Sequence, residues 1–174
     1  GIRDYKVTGV HTCALPILIF LTFFSGCQKN IIKFVTIEND HVVFNDDKIN
    51  HELAKTVEID EFVRHTVNRK SFKFKFIFDS HGNGVMKTKK QIVKIKDSTD
   101  FPDQIKDEYL NIYFKDMNKD GFKDLVFQGI LEIMDEEGNK VAKEEEIFEV
   151  AYYDKTKNDF ILKRPSKLLY EDVK

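Results

Sequence analysis

Ser71-Phe72-Lys73-Phe74-Lys75-Phe76-Ile77-Phe78-Asp79 sets an aromatic ring at every second position, with Phe72, Phe74, Phe76 and Phe78 on one side and Ser71, Lys73 and Lys75 on the other. Side chains alternate across a strand, so this pattern predicts a strand with one face in a core and the other in water. Asp79-Ser80-His81-Gly82-Asn83-Gly84 follows as a turn cluster whose glycines accept positive φ. The next apolar and polar run, residues 85–96, then predicts the returning strand of a hairpin.

The same grammar extends in both directions. Residues 125–134 and 140–153 flank the turn Glu136-Glu137-Gly138-Asn139, and residues 154–159 turn the chain into Phe160-Ile161-Leu162-Lys163. Towards the N-terminus, residues 31–37 and 41–44 are β-branched and aromatic runs separated by Glu38-Asn39-Asp40, a further strand pair. Ile59, Phe62, Val63, Thr66 and Val67 break the rule, because their spacing fits one face of a short helix, with a strand as the alternative. The expected fold class is mainly β: antiparallel hairpins forming a small β-rich domain, propeller-like arrangements included, with at most one or two short helices.

A chain of 174 residues suits one domain plus its termini. Lys and Arg number 28 against 30 Asp and Glu, a formal charge of -2, so the chain as a whole offers no basic field for a nucleic-acid backbone. Sixteen Phe and six Tyr supply bulky core material. Residues 28–174 contain no linker, repeat or low-complexity tract and read as a single β-rich domain.

Both cysteines, Cys13 and Cys27, fall at the N-terminal end, so no disulfide framework or zinc knuckle can be built in the body of the chain. No Met precedes Met86, and the run from Asp4 to Ile17 resembles translated adapter sequence, a non-native leader. Residues 15–24 are nearly all apolar and end in Phe24-Ser25-Gly26-Cys27. About ten apolar residues suit the h-region of a secretory signal and fall short of the ~20 that cross a bilayer. Small residues before a Cys resemble a bacterial lipoprotein signal, which implies that Cys27 is lipidated and heads the mature protein. The alternative is a buried core segment with Cys27 as an ordinary small hydrophobe. Removal of residues 1–27, which hold Arg3, Lys6 and Asp4, moves the formal charge from -2 to -3.

Asp116-Met117-Asn118-Lys119-Asp120-Gly121-Phe122-Lys123-Asp124 carries the chemistry. Oxygen-bearing side chains stand at loop positions 1, 3, 5 and 9, Gly121 at position 6 permits a sharp bend, and the backbone carbonyl of Phe122 can serve at position 7. Alternate oxygens on a tight loop suit Ca²⁺, which takes 6–8 hard ligands, better than Mg²⁺, which keeps its water and demands an octahedron. The expected metal ligands are Asp116, Asn118, Asp120, Phe122 and Asp124, with the ion in a structural role. A solvated turn stabilised by Lys115, Lys119 and Lys123 is the plain alternative. An EF-hand is excluded, since Phe127 stands where the bidentate Glu belongs and strand-like runs flank the loop.

The strand, D-x-N-x-D-G-x-x-D loop and following Leu125-Val126 resemble the calcium loops of FG-GAP and VCBS-type repeats of bacterial extracytoplasmic propellers, present here in one copy. Read on to Leu162, through Tyr152-Tyr153-Asp154 and Phe160, the order of elements is similar to small propeller-like lipoproteins that include periplasmic immunity proteins against lysozyme-like effectors. That resemblance implies an inhibitor or binding module and supplies no inhibitory residue.

Enzyme signatures are incomplete. His51-Glu52-Leu53-Ala54-Lys55 begins like H-E-x-x-H and has Lys55 where the second zinc-binding His belongs. Ser80 and His81 are adjacent in a turn, an arrangement that points their side chains apart. His41, His65 and His81 lack a second ligand at helical or strand spacing, and Glu144-Glu145-Glu146 suits a solvated strand end. These observations lead to the expectation of a noncatalytic, lipid-anchored protein of the bacterial envelope, on the periplasmic side or cell surface. Its calcium-stabilised domain would bind a protein or glycan partner and no nucleic acid. The alternative is an envelope hydrolase working through scattered carboxylates.

Overall fold

In the computed structural model the chain runs, in order, through β1 (Val35–Glu38), β2 (His41–Phe44), α1 (Asp46–Leu53), β3 (Glu58–Val67), β4 (Lys70–Asp79), β5 (Gly84–Lys87), β6 (Ile92–Lys96), β7 (Asp103–Ile105), β8 (Asn111–Lys115), β9 (Asp124–Met134), β10 (Lys140–Asp154) and β11 (Asp159–Leu162). The structure describes residues 33–97, 103–105, 109–135, 137 and 139–170. Cys27 and the whole of the expected leader and signal segment, residues 1–27, lie outside the described residues, as do Glu136 and Gly138 of the third expected turn.

Every strand pair is antiparallel, and the class is mainly β with one short helix among the described residues. Seven strands form one sheet in the order β1-β2-β8-β9-β10-β11, with β7 alongside the far half of β9. The other four form the meander β3-β4-β5-β6. The Phe strand is β4, and its alternation sets the layering. Phe74, Phe76 and Phe78 are at most 1% exposed, while Ser71 and Lys73 face water. Their rings meet rings of the larger sheet: Phe74 with Phe114 at 5.7 Å, Phe72 with Phe160 at 4.9 Å, and Phe76 with Phe44 at 6.0 Å between centroids. Two sheets therefore pack face to face on an aromatic core, each buried Phe contributing ~1.5–3 kcal/mol.

The segment with helical spacing is strand β3. Its inward positions are Ile59, Glu61, Val63, His65 and Val67, and the two polar members leave the apolar ones four residues apart, which imitates a helix. The helix lies earlier instead, over Asp46–Leu53, where Asn45 accepts a hydrogen bond from Lys48 N as N-cap and Asp46 and Asp47 occupy the first turn. The run 85–96 is also two strands, because the Thr88 hydroxyl accepts from the Lys90 and Gln91 amides and turns the chain between β5 and β6.

Both edges of the larger sheet are closed by side chains of the smaller one. One Glu61 carboxylate oxygen accepts from the Phe34 and Val35 amides at 2.7 and 2.8 Å at the start of β1. At the other edge the Gln91 amide donates to Leu162 O at 3.0 Å and accepts from Leu162 N at 2.7 Å, as a strand would.

Candidate metal centre

One end of the sandwich collects three turns around the Asp-rich loop. The loop joins β8 to β9, and both flanking strands pair with each other from Lys115↔Asp124 inward. Lys119 and Gly121 adopt φ of +62° and +83°. These two left-handed residues fold the loop back so that its acidic side chains reach its own backbone.

Asp116 accepts from Asp120 N at 3.2 Å and from Gly121 N at 2.9 Å, and Asn118 accepts from the same Asp120 N at 3.0 Å. The side-chain oxygens of positions 1 and 3 thus converge on one backbone N–H. Asp120 accepts from Phe122 N at 2.9 Å, and its other oxygen lies 3.7 Å from the Lys155 ammonium. Asp124 is 1% exposed and braces the base of the loop, one oxygen accepting from Met117 N at 3.0 Å and the other from Tyr153 N at 2.9 Å. Each of these oxygens keeps a second lone pair for a cation. The Phe122 ring stacks on Tyr153 at 5.6 Å and carries the Lys155 ammonium 4.0 Å from its centroid.

Among the described residues, no three His, Cys, Asp or Glu side chains are gathered as a ready-made metal cluster. The five sequence-predicted ligands do share one loop, with Asn118 and backbone oxygen supplying part of the set. The carboxylates of Asp116 and Asp120 accept from backbone N–H groups of the loop itself. Lysines take part differently from the expectation: Lys123 reaches away to Asp40 and Lys155 comes in from the β10–β11 turn.

Around the loop stand residues that the sequence reading did not join to it. Asn68, in the left-handed β3–β4 turn, accepts from Lys123 N at 2.7 Å and donates to Lys123 O at 2.9 Å. Asp40, in the left-handed β1–β2 turn, accepts from Lys123 and lies 3.2 Å from His65 Nε2. The Lys123 ammonium, assisted by His65, holds the Asp40 carboxyl below its ordinary value in spite of partial burial. The dipeptides Asn39-Asp40 and Asn68-Arg69 are hairpin-turn signals by composition, but Asp40 meets the loop because β2 lies beside β8, and Asn68 because β4 packs across the core on β8 through Phe74 and Phe114.

The remaining histidines stand apart from this centre. His41 stacks on Tyr113 at 5.4 Å, and the His81 amide donates to Asp79 within its turn. His51 lies on α1 with Lys55 Nζ at 2.9 Å, so an ammonium fills the place of a second zinc ligand. Set beside known protein families, curated proteins and solved structures, the chain matches none.

Proposed function

We propose that the chain is a noncatalytic protein of the bacterial cell envelope, anchored by lipid on Cys27, whose calcium-braced β domain binds an envelope macromolecule. The observation that carries this reading is the strand-flanked loop in which Asp116, Asn118 and Asp120 turn their oxygens onto one bend at Gly121. That arrangement supplies alternate hard donors, and with the Phe122 carbonyl and the second lone pairs of Asp124 it suits a hard divalent cation of Ca²⁺ size. The ion would tie β8 to β9 and, through Tyr153 and Lys155, to the β10–β11 turn, a structural task. Phe24-Ser25-Gly26-Cys27 supports the address.

The address is tested by expressing the chain behind a start codon in a bacterium fed labelled fatty acid. Label should enter the wild type and not Cys27→Ser, and the wild type alone should sediment with envelopes after a salt wash. Three acyl chains at ~0.8 kcal/mol per buried CH₂ make such anchoring effectively permanent. A Cys27→Ser protein held by membranes as firmly as wild type would remove the anchor from the reading.

A further inference from the structure

A second surface lies on the far side of the smaller sheet, away from the aromatic core. Phe62 on β3 stands opposite Lys75 on β4, Lys75 opposite Lys87 on β5, and Lys87 opposite Ile92 on β6. Directly opposed residues share a face, so these four form one row across the sheet. The C-terminal segment continues it, since Tyr170 N donates to Ile92 O at 3.0 Å. Tyr170 walls a cleft of about 260 Å³ lined on one hand by Lys87, Lys94 and Lys96 and on the other by Glu58, Asp79 and Asp97. The row therefore begins and ends on exposed aromatic rings, Phe62 at 52% and Tyr170 at 44%, with two lysines between them.

Charge on this face is one-sided near Phe62. Lys73 places its ammonium 3.6 Å from the Phe62 centroid and Lys75 lies at 5.5 Å, with Arg64 opposite Lys73 in the next row. Asp60, paired with Lys75, and further along the face Glu58, opposite Asp79, are the acidic side chains among them. A chain whose overall charge is -2 thus presents Arg64, Lys73, Lys75 and Lys87 together. The outer face of the larger sheet differs in kind: exposed Phe148 and Ile130 stand beside Glu146.

We propose that this face of the smaller sheet is a docking platform for a linear acidic polysaccharide. The inference deepens the binding-module reading above and rests on it. Strands are spaced ~4.8 Å apart, so the five-member row spans roughly 19 Å, and a linear chain of pyranose rings advances by about one strand spacing per ring. Each step of the row then meets one ring of the polymer. The negative face of Tyr170 attracts the polarised C–H groups of a sugar ring, while Lys75, Lys87 and the Lys73 ammonium that Phe62 holds over its ring meet its carboxylates. The Tyr170 ring at the end of a cationic row favours a polymer of rings over a ringless acidic polypeptide, whose recognition needs the lysines alone.

The test uses the full chain and three immobilised probes: oligoglucuronate, neutral dextran, and polyglutamate as an acidic polymer without rings. Oligoglucuronate should bind, dextran should not, and polyglutamate should bind at least about tenfold more weakly. Phe62→Ala, and separately Lys75→Ala with Lys87→Ala, should each weaken oligoglucuronate binding about tenfold, whereas Phe148→Ala on the opposite sheet should leave it unchanged. Circular-dichroism melts of the same samples show whether each variant is folded; Phe62 is exposed and Lys75 and Lys87 are half-buried on the face turned away from the core. Failure of oligoglucuronate to bind, equal binding of polyglutamate, or equal loss in Phe148→Ala would overturn the proposal. The assay involves no membrane attachment, so its failure is distinguishable from failure of the fatty-acid test.

Discussion

Asp159 opens β11 at 2% exposure, and its Oδ2 has no hydrogen-bond partner among the described residues. Burial pushes its carboxyl above the ordinary value of 3.8, against the pull of the Phe160 and Lys89 amides. The folded state therefore holds this proton more tightly than the unfolded chain does. Stability falls as pH rises from the ordinary value through the raised one, and at neutral pH the buried charge is a standing cost. Asp159→Asn keeps an acceptor oxygen for the two amides and removes the charge. It should raise the unfolding midpoint at pH 7, and the gain should shrink below pH 4 as the wild-type carboxyl takes up its proton. Denaturant unfolding at both pH values checks this; an unchanged or lower midpoint at pH 7 contradicts it. Gly129 is the converse case, a residue that must remain small. A Cβ there would stand 2.3 Å from Leu110 Cδ2, and Leu110 is itself 1% exposed. Gly129→Ala should cost about 1–3 kcal/mol through overpacking, seen as a lower unfolding midpoint.

At the level of elements, the edges of the larger sheet carry a cost that side chains manage. The Gln91 amide stands in for a strand against β11, so Gln91→Ala leaves the Leu162 N–H and C=O to find other partners. The expected loss is about 1–3 kcal/mol, with more association at high protein concentration because a strand edge is opened. Sedimentation and melting of Gln91→Ala measure both. The same device explains what the sequence hid. β4 was legible because all its inward positions are Phe, whereas β3 gives two inward positions to Glu61, which holds the Phe34 and Val35 amides, and His65, which meets Asp40. A residue serving another element breaks the period of its own, and pattern alone then favours a helix. The hairpins at 39–40 and 154–158 were readable because Asn, Asp and Lys turns are local chemistry. The break between β5 and β6 was harder to see, since one Thr hydroxyl makes it.

At the scale of the whole molecule, two sheets share one aromatic core, and truncating its centre should be severe. Phe76 is 0% exposed, and Phe76→Ala should cost ~3–5 kcal/mol in denaturant unfolding. The Asp-rich loop was legible in full because its residues are consecutive. Asp40, Asn68 and Lys155 were not, because three other turns bring them to the same end only after the strands have paired. The loop thus sits where β8, β9 and the β10–β11 turn meet, and a cation there would stabilise the fold as a whole. If the folded chain binds Ca²⁺ and the unfolded chain does not, stability rises by ~2.7 kcal/mol at a calcium concentration 100-fold above Kd. For a chain of this size that is about 5–10 °C in melting temperature. The decisive measurement is a melting series of wild type, Asp120→Ala and His51→Ala across calcium and chelator. Wild type and His51→Ala should climb with calcium and fall with chelator, while Asp120→Ala, lacking a donor and a charge, should lose most of that response. Wild type and Asp120→Ala showing the same calcium response across the whole series would mean that the loop is a turn and that no ion braces this fold.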